Sequence, residues 1–320
     1  MILSWLLVAW APNSFANNDE RDATYPQKSV HLVVPFPAGG GADIVARLVA
    51  HSLAQKLGQA VVVDNKPGAD GTLAAQHVAS SPADGYTLFF ATYGAMSAAP
   101  FLHRDIHYNP SQDFTPISAA GKFSMFLFIH PDLPVNSVQQ LIDYEHTHPG
   151  KINYGTGNVA SLVMSSELRE QAHLRMTHVP YKGEVPAMVD FLAGRIQVMF
   201  ATPTNTLPYV KEGRLKALAS MSDKRSSLLP EVMTWRESGM PAMDLSAWAG
   251  FFGPAHLPVN ITNKLSALIN QILLEPEVRA EFSKQGFEPS GSSPAALSNY
   301  LKAQARSWQS AIQSASLQPE

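Results

Sequence analysis

The segment "VHLVVPFPAGGGADIVARLVAHSLAQKLG", Val30 to Gly58, constrains the fold more than any other stretch. Apart from His31, Val30 to Phe36 is an unbroken apolar run, as in a strand buried on both faces. A turn of Pro37, Ala38, Gly39, Gly40 and Gly41 follows. An amphipathic helix then begins at Ala42 and Asp43, with Ile44, Val45, Leu48, Val49, Leu53 and Leu57 on one stripe and Gly58 as its stop. A strand that enters a helix through glycines aims backbone N–H groups beyond the strand's carboxyl end, which suits an anion. "AVVVDN" (Ala60 to Asn65), the helix "TLAAQHVASS" and "YTLFFAT" (Tyr86 to Thr92) continue the alternation. This order implies a parallel sheet with right-handed crossovers, and a ligand crevice at the strands' carboxyl ends.

The second half repeats the style. "FSMFLFIHP" reads as a strand, and "VNSVQQLIDYEHTHPG" as a helix capped by Asn136 or Ser137. "INYGTG" leads through a polar loop to the helix "SLVMSSELREQA". "MTHVPY" is a strand, "VPAMVDFLAGR" a helix, and "IQVMFAT" and "LKALASM" are strands. "SAWAGFFGP" precedes a helical region from Asn260 to Leu317. The pattern predicts an α/β protein of two lobes facing each other across a cleft. The crossings fall near Ala120 to Ser124 and Ser246 to Phe252. Lobe 1 takes 25–122 plus 250–320, and lobe 2 takes 123–249.

The 320 residues suffice for two such lobes. A formal net charge of -3 carries no nucleic-acid footprint, so no nucleic-acid partner is expected, and any anion must be held by local geometry. With no cysteine there is no disulfide, thiolate zinc site or cysteine nucleophile. "MILSWLLVAWAPNSFA" predicts a cleaved export leader over 1–16. Its apolar core is too short to span a bilayer, and small residues stand before Asn17, although no Lys or Arg precedes the core.

The chemistry open to the loops is narrow. A dinucleotide site is the rival reading, because Gly39 and Gly41 follow a strand and Asp64 ends the next one. Yet the third glycine of that fingerprint is replaced by Ile44, and no Gly-Lys-Ser/Thr makes a phosphate loop. No Gly-x-Ser-x-Gly elbow offers a serine nucleophile. His103 with His107, and His146 with His148, lack a third metal ligand. No catalytic residue, metal or cofactor is expected. The strand-end loops instead carry uncharged donors: Thr92 and Ser97, Thr156, Asn158 and Ser161, Gly183, and Thr202. Lys182 is the one cation among them. Each alone suits a helix cap; together they suit a small carboxylate.

Several stretches then resemble the substrate-binding proteins of tripartite tricarboxylate transporters, the Bug-type receptors. They are "VPFPAGGGADIVAR", "GQAVVVDNKPGADGTLAA", "DGYTLFFAT", "DFTPIS", "INYGTGN", "HVPYKGEVPAMVDFLAGRIQVMF", "GRLKALASMSDKRSSLLPEV" and "WAGFFGPAHLP". The resemblance runs from Tyr25 to Ala315. It implies a type II periplasmic-binding-protein fold closing over a small organic acid. It also implies a monomer outside the cytoplasmic membrane, serving two membrane permease subunits or acting as an orphan or sensory receptor. Pro37 to Asp43 matches the loop that lies against the ligand in the family, and Thr92 and Thr156 to Ser161 match the facing contacts. Gly41-Ala42 replaces the family's frequent Ser-Thr, which removes hydroxyl donors. The loop after Tyr154 is shortened. Ala201 stands where many members place aspartate, so a contact to a ligand ammonium is absent there. The sequence points to no other carboxylate facing the cleft.

Overall fold

The computed structural model describes residues 25–319, apart from 223, 242 and 244. The leader expected over 1–16 lies outside the described residues. β1 (Val30–Val34) runs into α1 (Gly41–Leu57), then β2 (Val61–Asn65), α2 (Thr72–Ala79) and β3 (Thr87–Thr92). β1 pairs in parallel with both β2 and β3. The strand ends at Val34 rather than Phe36 because Pro35 and Pro37 have no N–H to give a ladder. Val45, Ala46, Val49, Ala50 and Leu53 bury the inner face of α1. Gly58, with φ 68°, closes the helix by a bond to Ala54 O.

A π-turn (Gly94–Ala98) and the short α3 (Ala99–Leu102) follow β3 and lead to β4 (Phe114–Phe123), which crosses the first lobe. The chain then enters the second lobe at β5 (Phe126–Ile129). There follow α4 (Val138–Thr147), β6 (Asn153–Thr156), α5 (Val159–Ala172), β7 (Thr177–Pro180), α6 (Glu184–Leu192), β8 (Val198–Ala201), α7 (Pro203–Lys211) and β9 (Lys216–Ser220). It returns through β10 (Trp248–Pro254), α8 (Val259–Ile272), α9 (Pro276–Lys284), β11 (Phe287–Pro289) and α10 (Pro294–Ser314). The first sheet has the order β11-β4-β10-β3-β1-β2 and the second β7-β6-β8-β5-β9. In the first, β10 lies antiparallel between β3 and β4; in the second, β5 lies antiparallel between β8 and β9.

Two elements escape the sequence pattern for the same reason. β4 contains Pro116 and Gly121, poor strand formers, and its register with β10 shifts between Phe251 and Phe252, opposite Pro116. α7 begins at Pro203 and contains Pro208, so its prolines read as loop. Pro203 sits at the first helical position, where its missing N–H costs nothing.

The lobes touch in this structure. A Cβ on Gly41 would stand 3.0 Å from Thr204 Oγ1, and one on Gly183 would stand 3.5 Å from Pro37 Cγ. Thr204 Oγ1 donates to Gln285 O across the junction (3.0 Å). α5 of the second lobe packs on α10 and on Gly94–Ala98 of the first. There Tyr93 stacks on Trp308, with centroids 5.0 Å apart and planes 7° from parallel.

Candidate functional site

A cavity of about 560 Å3, measured out to its mouth, lies between the lobes. The residues that cap four helices line it: Gly40 for α1, Asn158 for α5, Gly183 for α6 and Thr202 for α7. Helix N-termini present unpaired N–H groups and positive dipole ends, so their convergence favours a negative group. The caps differ in what they leave over. At α1, Gly40 has no side chain to accept the first-turn amides. At α5, Asn158 and Ser161 form a reciprocal capping box: Asn158 Oδ1 accepts from Ser161 N at 2.9 Å, and Ser161 Oγ accepts from Asn158 N at 3.2 Å.

The glycine loop is braced from behind. Asp43 is buried, and its carboxylate accepts from Gly39 N (2.9 Å), Arg47 Nε (2.9 Å) and Asn65 Nδ2 (2.8 Å). Burial opposes its charge, but the bonds from Arg47, Gly39 and Asn65 outweigh this and hold the carboxyl below its usual range. Gly39 adopts φ 83°, a conformation that favours glycine, and its amide is spent on Asp43. Gly40 itself is extended (φ -79°, ψ 164°). Asp64, the candidate ribose carboxylate, is instead 2.7 Å from His31 Nδ1.

The facing wall carries a carboxylate that the sequence pattern does not reveal. Glu184 opens α6 and lines the cavity. Its Oε2 accepts from Thr202 Oγ1 (2.6 Å), and its Oε1 from Asn158 Nδ2 (3.0 Å) and Thr202 N (3.3 Å). Burial pushes its carboxyl above the usual range, and the bonds from Thr202, Asn205 and Asn158 draw it only part of the way back. No Lys, Arg or His is among the described residues that line the cavity.

Among the residues named from sequence, Pro37, Gly40, Gly41, Ala42, Thr92, Asn158, Gly183 and Thr202 line the cavity. Thr92 Oγ1 is buried with no hydrogen-bond partner among the described residues. Ala38 and Gly39 are exposed on the loop itself, outside the cavity lining, and Lys182 is exposed as well. Ser97 is buried in the π-turn. Thr156 Oγ1 lies 2.7 Å from His178 Nε2, and Ser161 Oγ serves the capping box. Ala201 is buried on β8, opposite Phe126. The remaining lining comes largely from residues without a local motif, among them Phe36, Tyr93, Phe123, Met125 and Ala247. Phe123 ends β4, and Met125 and Ala247 immediately precede β5 and β10, where the chain passes between lobes. Tyr93 belongs to the β3 end, and its hydroxyl meets the Ala160 amide of α5. His103, weighed as a metal ligand, is 3.0 Å from Asp70 Oδ2. No cluster of three metal-ligating side chains occurs among the described residues.

The model of the tripartite tricarboxylate transporter family receptor matches residues 45–317. This chain belongs to that receptor family. Protein BugT of Bordetella pertussis is 33% identical over 290 residues, covering 89% of this chain and 88% of BugT. The structure of R. palustris Rpa4515 with adipate superposes with a TM-score of 0.89 at 30% identity, covering 92% of this chain and all of that one (100%). MatC from Rhodopseudomonas palustris with bound malate gives a TM-score of 0.82 at 29% identity, over 90% of this chain and 100% of that one. The two-lobed α/β architecture is thus that of a periplasmic binding protein, and the family role is that of a solute receptor. The dinucleotide reading finds no support in these comparisons.

Proposed function

We propose that this chain is an extracytoplasmic receptor that captures a small organic acid between its lobes and performs no chemistry on it. The observation that carries this is the uncapped start of α1 opening onto the interlobe cavity, which is also lined by Thr92, whose hydroxyl has no partner among the described residues. A ligand carboxylate would accept from the amides of Gly40 to Ala42 and from Thr92. The dicarboxylates named for Rpa4515 and MatC support the ligand class. Export would depend on the leader at 1–16. The lobes, 25–122 with 250–320 and 123–249, would open about hinges at 120–124 and 246–252. The monomer would release its cargo to two membrane permease subunits or act as an orphan or sensory receptor.

A thermal-unfolding screen of organic acids and dinucleotides tests this reading. A ligand at about a hundred times its Kd adds roughly 2.7 kcal/mol to stability. One class of acid should raise the transition and dinucleotides should not. Stabilisation by dinucleotides alone would replace the receptor reading with an enzymatic one.

A further inference from the structure

The side-chain donors that the second lobe brings to the cavity are already in use. Asn158 Nδ2 and Thr202 Oγ1 both donate to Glu184, as does the Thr202 amide. Asn158 Oδ1 and Ser161 Oγ are held in the α5 cap. The Glu184 carboxylate therefore sits at the start of α7 and against the α5 cap, where an incoming anion would otherwise find its donors. The start of α6 has no side-chain cap, but Glu184 is the first residue of that helix, so an anion there would lie beside its charge. Among the described residues, no cation lines the cavity to offset the two negative groups. The first lobe differs: the start of α1 and the Thr92 hydroxyl are unspent.

We propose that Glu184 stands in for a second ligand carboxylate, so that this receptor selects acids with a single carboxylate and rejects dicarboxylates. The inference rests on the carboxylate-receptor reading above. The ligand's one carboxylate faces the glycine loop. Its other end, toward Glu184, is apolar or bears a hydrogen-bond donor. Two carboxylates forced together in a water-poor cleft repel strongly, and removing one partner frees its donors for the other.

Calorimetry with two matched series tests this: straight-chain monocarboxylates from butanoate to octanoate, and dicarboxylates from succinate to suberate. Each series is titrated into the wild-type protein, Glu184→Gln and Glu184→Ala. The wild type should bind its best monocarboxylate at least about tenfold more tightly than any dicarboxylate. Glu184→Ala should gain about a hundredfold for its best dicarboxylate, with Asn158 and Thr202 released to donate to its second carboxylate. Glu184→Gln keeps the side chain's size and should shift the preference the same way. The wild-type preference decides the matter even if one variant fails to fold. A wild-type protein that takes a dicarboxylate as tightly as any monocarboxylate overturns the inference and leaves the receptor reading intact. If neither series binds to any of the three proteins, the inference fails, and the thermal-unfolding screen of other organic acids and dinucleotides decides the receptor reading.

Discussion

The two walls of the cleft hold their polar groups in opposite ways. The first-lobe wall is a backbone wall: the glycine turn into α1 offers amides, and Asp43, Arg47 and Asn65 brace it from the side away from the cavity. The second-lobe wall is a side-chain wall: Asn158, Thr202 and Glu184 bond to one another within the cavity lining. The first can receive an anion without rearranging. The second is already satisfied, so it shapes and screens the cavity more than it attracts an anion. Affinity should therefore be lost most readily through the first wall, and structure through the second.

The largest difference should come from aspartate at Gly40. Gly40 is extended, and a Cβ there meets only Pro37 O at 3.7 Å, so Gly40→Asp should leave unfolding nearly unchanged. Its charge beside a ligand carboxylate should cost binding about 4 kcal/mol by the Coulomb estimate for a partly screened pair. Alanine at Gly157 should do the reverse. A Cβ there would stand 2.6 Å from Gly183 C and from Glu184 N, both backbone atoms. Gly157→Ala must displace the start of α6, at a cost to stability of about 3 kcal/mol, and denaturant unfolding measures it. If Gly40→Asp unfolds the protein while Gly157→Ala is silent, the contrast between the walls is wrong.

A pH effect of similar size should arise along α5, behind the second wall. Burial raises the carboxyl of Glu167 from 4.5 to about 7, and its Oε2 has no partner among the described residues. Between the unfolded and folded pKa values the folded state holds the extra proton. Stability should therefore fall as pH rises from about 4.5 to about 7, by up to about 3 kcal/mol from this group. Glu167→Gln should flatten that part of the profile and be more stable than wild type above pH 7. Identical profiles for the two proteins would mean that Glu167 is hydrated.

How much was legible in sequence follows the same division. The glycine turn and α1 depend on neighbours in the chain: a strand, a turn and a helical stripe. Residues 30–58 were therefore readable, apart from the strand end that Pro35 and Pro37 cut short. The second wall depends on contacts across chain distance. Glu184 meets Thr202 only because α6 and β8 pack together, and no local spacing announces a carboxylate in the cleft. The sequence reading, with Ala201 at the frequent aspartate position, left the cleft without one. Asn158 and Ser161 were visible as polar loop residues. Their spacing also fits a capping box, and the fold turns their side chains to each other. α7 was hidden by its own prolines.

A smaller effect sharpens the comparison at Thr92. Its hydroxyl oxygen is buried with no partner among the described residues, so Thr92→Val removes a polar group that makes no hydrogen bond there without ligand. The variant should unfold no more easily than wild type, yet bind the acid about 1 kcal/mol more weakly. Calorimetry paired with thermal unfolding separates the two effects. Loss of stability with unchanged affinity would return the hydroxyl to a structural role.

The most direct test of the account follows the backbone amides themselves. In a 15N-labelled sample titrated with an acid that raises the unfolding transition, the resonances of Gly40, Gly41 and Ala42 should move first and furthest, as their N–H groups donate to the carboxylate. The amide of Gly39, already bonded to Asp43, should move less. Saturable binding that leaves Gly40 to Ala42 unperturbed would contradict the account, because the carboxylate would then be held somewhere other than the start of α1.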